Sequence, residues 1–283
     1  VNVLPREEQV RAIHLLCEGN SIRSTERLTS VHRDTIMRLL VRVGTRCRVL
    51  LDERMRGLEL RHIEADEAWT FCLKKQGRLT PQEQDDPTIG DQFLFVAFDA
   101  PTKLIPTFVV GKRTQENTEA FMLDLAQRIV TPRLGEKGYR PQISTDGWRG
   151  YPGAIDLAFA DTVRHGVLVK QFRESEQPGR YGPPELVSEE RRPMHPDLNP
   201  DTICTSHVER NNLSIRTFVK RFTRLALGFS KRLENLKAAV ALHVAHYNFC
   251  RFHSSIRSTP AMAAGVAGHP WSVGELLIEA GVV

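Results

Sequence analysis

The order of hydrophobic patterns between residues 58 and 169 constrains this chain more than any single motif. Leu60 to Leu73 has a strand-like pattern. Gln92 to Phe98 is nearly all apolar, as in a strand covered on both faces. The turn Asp99-Ala-Pro-Thr-Lys103 then leads into a third strand, Leu104 to Val110. After that the period alternates. Thr114 to Val130 predicts a helix with Thr114 or Thr118 near its start, and Arg140 to Thr145 a strand. Trp148 to Phe159 predicts a helix interrupted early by Pro152-Gly153, and Val163 to Val169 a last strand. Three consecutive strands followed by helix–strand–helix–strand is an uncommon order of elements.

That order predicts an α/β fold of the ribonuclease H-like kind, a mixed five-stranded sheet flanked by helices, over residues 58–257. An all-α segment precedes it at 1–57. There Pro5 suits a first helical turn, Gly19-Asn20 ends a first helix, and Ser21 to Leu28 forms a second. Ser30 is placed to cap a third helix, Val31 to Arg46, with Ile36, Leu39, Leu40 and Val43 as its apolar stripe. This outline is that of a helix-turn-helix DNA-binding domain whose third helix would present His32, Arg33, Thr35 and Arg38 to a major groove. A plain three-helix bundle has the same pattern. Residues 171–205, with Pro178, Pro183, Pro184, Pro193, Pro196 and Pro200, predict an insertion with little core of its own. Two helices, about 206–226 and 230–250, and a C-terminal tail at 258–283 complete the reading.

Charge is distributed unevenly. Residues 1–61 carry 12 Lys/Arg against 8 Asp/Glu, and residues 207–257 carry 10 against 2. With the whole chain at +5, the remaining middle is acidic. Basic ends around an acidic middle suit a protein that grips a polyanion and holds metal between. No apolar run approaches a membrane span and no secretory pattern opens the chain, so the expected location is the cytoplasm, on the nucleoid when DNA is bound. Five cysteines without Cys-x-x-Cys argue against a disulfide framework and a zinc ribbon. Cys204-x-x-His207 and Cys250-x-x-His253 offer zinc ligands only if two distant segments meet. There is no phosphate-binding Gly-x-x-x-x-Gly-Lys loop and no Gly-x-Ser-x-Gly.

Three acids fall on telling elements: Asp66 on the first strand, Asp146 at the end of the fourth, and Glu209 in the basic helix after the insertion. Phosphodiester cleavage and strand transfer need an activated oxygen nucleophile and a stabilised leaving oxygen. Two divalent ions on carboxylates supply both. Each acid has a plainer reading. Glu64 or Glu67 competes with Asp66, and alternation puts Glu64 on its face and Glu67 on the other. Asp146-Gly147 is an ordinary turn signal, Glu209 alone reads as a solvated helix acid, and Asp99 also ends an apolar strand.

Several motifs together resemble transposases of the insertion-sequence-one family. They are Asp66-Glu67-x-Trp69, Phe98-Asp99-Ala100, Val110-Gly-Lys-Arg113, Thr145-Asp146-Gly147, Val208-Glu-Arg-Asn211, Arg221-Phe-Thr-Arg-Leu225, Gly228-Phe-Ser-Lys231 and Tyr247-Asn-Phe-Cys-Arg251-Phe-His253. The resemblance implies a DDE-type transposase with a ribonuclease H-like core. Its metal ligands carry over to Asp66, Asp146 and Glu209, binding Mg2+ or Mn2+, two ions. Its partners would be DNA, as terminal inverted repeats and target DNA, and further copies of the chain once two ends are paired. Arg210, Arg216, Lys220, Arg221 and Arg224 are the cations expected to meet phosphates, with Arg33 and Arg38 on the amino-terminal helix. Asn211 or Asn212 is expected to orient a ligand or the DNA. The sequence departs from the family in two ways: no amino-terminal zinc finger is present, and 63 residues separate Asp146 from Glu209, which the insertion explains. The alternative reading is a DNA-binding regulator without catalysis.

Overall fold

A computed structural model describes residues 4–136, 138–173, 184–224 and 226–283. Pro178 and Pro183 of the expected insertion, and Leu225 of the basic motif, lie outside the described residues. The fold is α/β, a six-stranded mixed sheet flanked by helices, compatible with a ribonuclease H-like arrangement. Its strands are β1 (His62–Cys72), β2 (Gly90–Asp99), β3 (Phe108–Gly111), β4 (Gln142–Thr145), β5 (Arg164–Arg173) and β6 (Glu185–Pro193). Their order across the sheet is β3-β2-β1-β4-β5-β6. β1 is central, antiparallel to β2 and parallel to β4, while β4 and β5 run parallel and β5 and β6 antiparallel.

The sixth strand corrects the five-stranded expectation. It comes from the segment read as an insertion without much core. Its antiparallel pairing with the lengthened β5 satisfies backbone groups that composition alone could not assign. Every residue of β6 is exposed, so the strand is held by its ladder rather than by burial. Behind it Leu168, Leu198 and Ile203 form a small cluster apart from the main core.

The third strand is shorter than its apolar run. Pro106 has no N–H for a ladder. The buried amide of Asn248 takes both backbone groups of Ile105, accepting from its N–H at 3.1 Å and donating to its carbonyl at 2.9 Å. A helix side chain thus takes the place of strand pairing at Ile105, while the carbonyls of Leu104 and Thr107 still accept from Asp99 and Ala97 N–H of β2.

Helices α4 (Gln115–Ala126) and α5 (Gly150–Phe159) follow β3 and β4. Phe95 of β2 lies opposite Glu67 in the ladder and meets Phe121 of α4, which puts α4 on the Glu67 face. α6 (Ser206–Phe218) lies on the other face, where its Asn212 reaches Asp66. It ends earlier than its apolar stripe suggests. Val219 turns extended, and Lys220–Phe222 form a short 3-10 turn whose Arg221 carbonyl accepts a hydrogen bond from Thr70 of β1. The stripe itself, Val208, Ile215, Val219 and Phe222, is buried.

The amino-terminal helices are α1 (Arg6–Cys17), α2 (Ile22–Thr29) and α3 (Arg33–Arg54). Ser21 caps α2, accepting from Ser24 N–H at 3.0 Å. Ser30 does not cap α3. It sits at φ 61° as the left-handed residue that ends α2, and His32 occupies the cap position of α3 instead. α3 continues eight residues past the expected end, because its second half packs on α7 (Leu233–Phe249). The contact is close at Gly44, where an added Cβ would lie 2.1 Å from the Ala238 carbonyl oxygen. α7 shows why no single stripe describes it: every residue from Ala238 to Phe249 is buried. At the far end of α3, Arg128 donates to the carbonyls of Leu51 and Met55 and pairs with Asp52 and Asp124, binding α3 to the helix after β3. The segment 258–283 adds α8 (Pro260–Ala263) and α9 (Val273–Glu279), with Trp271 stacked on Phe249 at 4.1 Å. One buried cluster contains residues of α1, α3, the sheet, α7 and α9.

This continuity makes a prediction. Gly44→Ala overpacks the α3–α7 contact and should lower stability by about 1–3 kcal/mol. Thermal unfolding followed by far-UV circular dichroism should show a single transition shifted down. A biphasic melt, with the amino-terminal helices unfolding separately, would contradict the shared core.

Candidate metal centre

β4 pairs with β1 only as far as Ala65 opposite Thr145. Beyond that point the chain leaves the sheet at Asp146, and a gap opens beside Asp66 and Glu67. Side chains from both faces of β1 can therefore meet the residue that follows β4. One oxygen each from Asp66, Glu67 and Asp146 lies within 4.8 Å of the others. Asp66 accepts from Glu67 N–H at 2.8 Å and from the Asn212 amide at 2.8 Å. Asp146 accepts from Trp148 N–H at 2.9 Å. The Arg113 guanidinium bridges Glu67 at 2.8 Å and Asp146 at 3.5 Å, and its flat face lies 4.3 Å from the Trp148 ring.

Glu209 lines the same cleft, a space of about 630 Å³ shared with Asp66, Asp146, Arg113 and Lys170. It is not in the close trio. One of its oxygens is held by Lys170 Nζ at 2.6 Å and by Thr205 Oγ1 at 2.6 Å. Asp66, Asp146 and Glu209, separated by up to 143 positions, thus border one space. Glu67 meets Asp66 and Asp146 despite lying on the opposite face of the strand. Alternation argues against that placement, and only the early end of β4 permits it.

Crowded acids resist ionisation. Burial, and then the Asp146 and Glu209 charges, push the Asp66 carboxyl up to about 6 against the two hydrogen bonds it accepts. Burial, then Asp146, push Glu67 up to about 7, with the Tyr151 hydroxyl and then Arg113 opposing. Burial also raises Asp146, against Trp148 N–H and Arg113. The Glu67 side chain is 2% exposed, and its Oε1 makes no well-formed hydrogen bond, although the Tyr151 hydroxyl lies close enough to oppose the rise in its proton affinity. Three carboxylates this close suit a hard divalent cation such as Mg2+ or Mn2+.

The competing acids have other partners. Glu64 accepts from the N–H groups of His207 and Val208 at 2.8 and 2.9 Å, at the amino-terminus of α6, and meets His207 Nδ1 at 2.7 Å. Asp99 accepts from Arg61 N–H and from Thr102 N–H and hydroxyl, the turn role. Cys204 and His207 gather with Glu64, not with the second zinc pair. Cys250 instead contacts the Ser272 carbonyl, and the His253 ring packs on Tyr247. Burial lowers His243 to about 3 and His246 to about 4, leaving them as neutral core groups.

The expected phosphate cations divide. Arg33, Arg38, Arg210 and Arg224 are exposed, whereas Arg216 and Lys220 are half-buried. Asp66 is among the charges acting on Arg216, after burial and Arg224. Arg221 corrects the expectation. It turns inward to Ser230 Oγ at 2.7 Å and to the Met37 sulfur, and burial pushes it down to about 10. Of the two asparagines, Asn212 orients Asp66, while Asn211 is buried with neither amide atom partnered. No model of a known protein family matches the chain, and a search of curated proteins returns no significant match.

The raised carboxyls bind their protons more tightly in the folded than in the unfolded chain. Their contribution favours the fold below about pH 4 and is lost as pH rises through about 6 for Asp66 and about 7 for Glu67. In metal-free buffer, Asp66→Asn should therefore raise the melting temperature at pH 8 by roughly 2–6 °C and change it little at about pH 3, below both the folded and the unfolded values. An equal shift at both pH values would show that charge crowding is not the cause.

Proposed function

We propose that this chain is a DDE-type DNA transposase, which binds the terminal inverted repeats of its element and cleaves and transfers DNA strands with divalent metal. The observation that carries this reading is the convergence of Asp66, Glu67 and Asp146 within 4.8 Å, with Glu209 on the same cleft. The order of elements is the one a ribonuclease H-like catalytic domain uses, with the first acid on the central strand, the second after β4 and the third on a helix across the sheet.

Asp66, Asp146 and Glu209, joined by Glu67, would hold two Mg2+ or Mn2+ ions. Bound there, such ions activate an oxygen nucleophile and stabilise the leaving oxygen of a phosphodiester. The chain's own groups prepare the site. β1 holds Asp66 by its pairing with β2, one residue beyond the end of the ladder with β4. Asn212 and Trp148 N–H orient the carboxylates of Asp66 and Asp146. Arg113 balances the carboxylates when no metal does. Lys170 beside Glu209, with Arg216 under the electrostatic influence of Asp66, would supply positive charge to a scissile phosphate. α2 and α3, joined by a three-residue turn and presenting Arg33 and Arg38, are the helix-turn-helix of this proposal. Arg210 and Arg224 extend the basic surface, and pairing of two ends calls for a homo-oligomer on DNA.

The DNA flanking the reading frame supplies the substrate for the test. With Mg2+ or Mn2+, the protein should nick duplexes carrying those flanking ends. Asp146→Asn should lower cleavage by at least about 1000-fold while leaving duplex affinity within about twofold. Cleavage retained in Asp146→Asn would overturn the metal assignment. Binding of the ends without cleavage by the parent protein would identify a regulator that has kept the fold and lost the chemistry.

A further inference from the structure

Beyond the acidic cluster, β1 continues toward its carboxyl end with Trp69 and Phe71 on the same face as Glu67. Their rings contact each other at 5.9 Å, and Phe71 meets Phe229 at 4.8 Å. Phe93 lies directly across the β1–β2 ladder from Trp69. Trp69, Phe71, Phe93 and Phe229 are all half-buried rather than enclosed. The main core takes in Phe93 at its rim, whereas Trp69, Phe71 and Phe229 stand outside it. Leu227, two residues from Phe229, is 97% exposed. A row of open rings thus leads away from the carboxylates along the sheet.

Cations accompany the row. Lys75 Nζ lies 5.7 Å from the Trp69 ring centre. Arg113 lies 5.8 Å from the Phe93 ring and at the same time reaches Glu67 and Asp146. The row therefore begins at the acidic site itself. Aromatic faces interleaved with cations bind nucleic acid whose bases are free to stack. A paired duplex offers no base faces except at its ends.

We infer that Trp69, Phe71, Phe93 and Phe229, with Lys75, form a stacking platform for unpaired nucleotides of a DNA strand entering the metal centre. This rests on the function proposed above, and it adds a class of ligand, single-stranded DNA, and a place for it. An enzyme cutting at the end of an element gains from it directly. Holding one or two frayed bases on the platform keeps the strand end from re-pairing and fixes the position of the next phosphate at the carboxylates. The occupant is committed by charge and position. Lys75 and Arg113 suit an anionic backbone, and the platform adjoins a site built for phosphate chemistry.

The test measures binding of the full chain to a fluorescently labelled oligodeoxythymidine of about 15 nucleotides, by anisotropy without metal. Trp69→Ala should weaken this binding about tenfold, since each stacked base contributes on that scale. Binding to a duplex carrying the flanking ends should stay within about twofold. Phe229→Leu, on a different segment, should weaken the oligodeoxythymidine several-fold and keeps the test informative where Trp69→Ala fails to fold. Unchanged oligodeoxythymidine affinity in a folded variant overturns the platform. A shift from oligomer to monomer in sedimentation, with that affinity unchanged, overturns it too and assigns the row to contact with a second copy. Asp146→Asn separates this inference from the enzymatic one: it should keep oligodeoxythymidine binding and lose cleavage. A parent protein that binds the oligodeoxythymidine through Trp69 and cleaves nothing would retain the platform and remove the transposase reading.

Discussion

The placement of α6 over the sheet depends on one buried carboxylate. Glu64 is 3% exposed, and it accepts two of the first N–H groups of that helix, which otherwise have no partner inside the helix. A negative charge at this end also meets the positive pole of the helix dipole. The arrangement fixes the helix against β1, and two turns of the helix then bring Glu209 and Asn212 to the level of Asp66. Alternation along β1 does the rest. Glu64 anchors the helix, Asp66 on the same face receives Asn212, and Glu67 on the opposite face reaches Asp146 through the gap beyond β4. Four consecutive positions of one strand thereby set both the scaffold and the cluster.

The cluster is held at a cost to the fold. Burial, and then the neighbouring Asp146 charge, raise the proton affinity of Asp66 and Glu67, and Arg113 relieves only part of this at Glu67 and Asp146. Structural acids elsewhere in the chain are treated differently. Asp124 has burial against it, yet its hydrogen bonds from Arg128 and Thr107 bring it below the ordinary carboxyl range. A set of acids left under-compensated while a nearby structural acid is fully paired is the pattern expected of groups that await a cation.

Much of this arrangement was legible in the residues. β1 carried its acid in a strand flanked by others, and the buried stripe of α6 was visible as Val208, Ile215, Val219 and Phe222. Other features were not legible, because they depend on partners distant in sequence. The late start of β3 goes with Asn248, 143 residues from the backbone it bonds. β6 consists of polar residues with no buried face, so hydrophobic periodicity gave no signal for it. Arg221 stood in a run of cations and read as a phosphate contact, but its direction is set by Ser230 and by the sulfur of Met37 in α3. Glu67 stood as a competitor of Asp66 on the other face of the strand, since alternation describes side chains along a continuous ladder and does not show that both can serve one site where the neighbouring strand stops.

The shared core of α3 and α7 has a mechanical consequence. A recognition helix on a flexible tether could reach many positions along a duplex while the chemistry proceeded elsewhere. Here Gly44 allows α3 to lie directly against α7, and Arg128 fastens the other end of α3. Arg33 and Arg38 are thus on the same rigid body as Asp66. For a protein acting on DNA in the way proposed, the fold itself becomes a ruler: the number of base pairs between the sequence that is read and the bond that is cut is fixed by the length and packing of one helix.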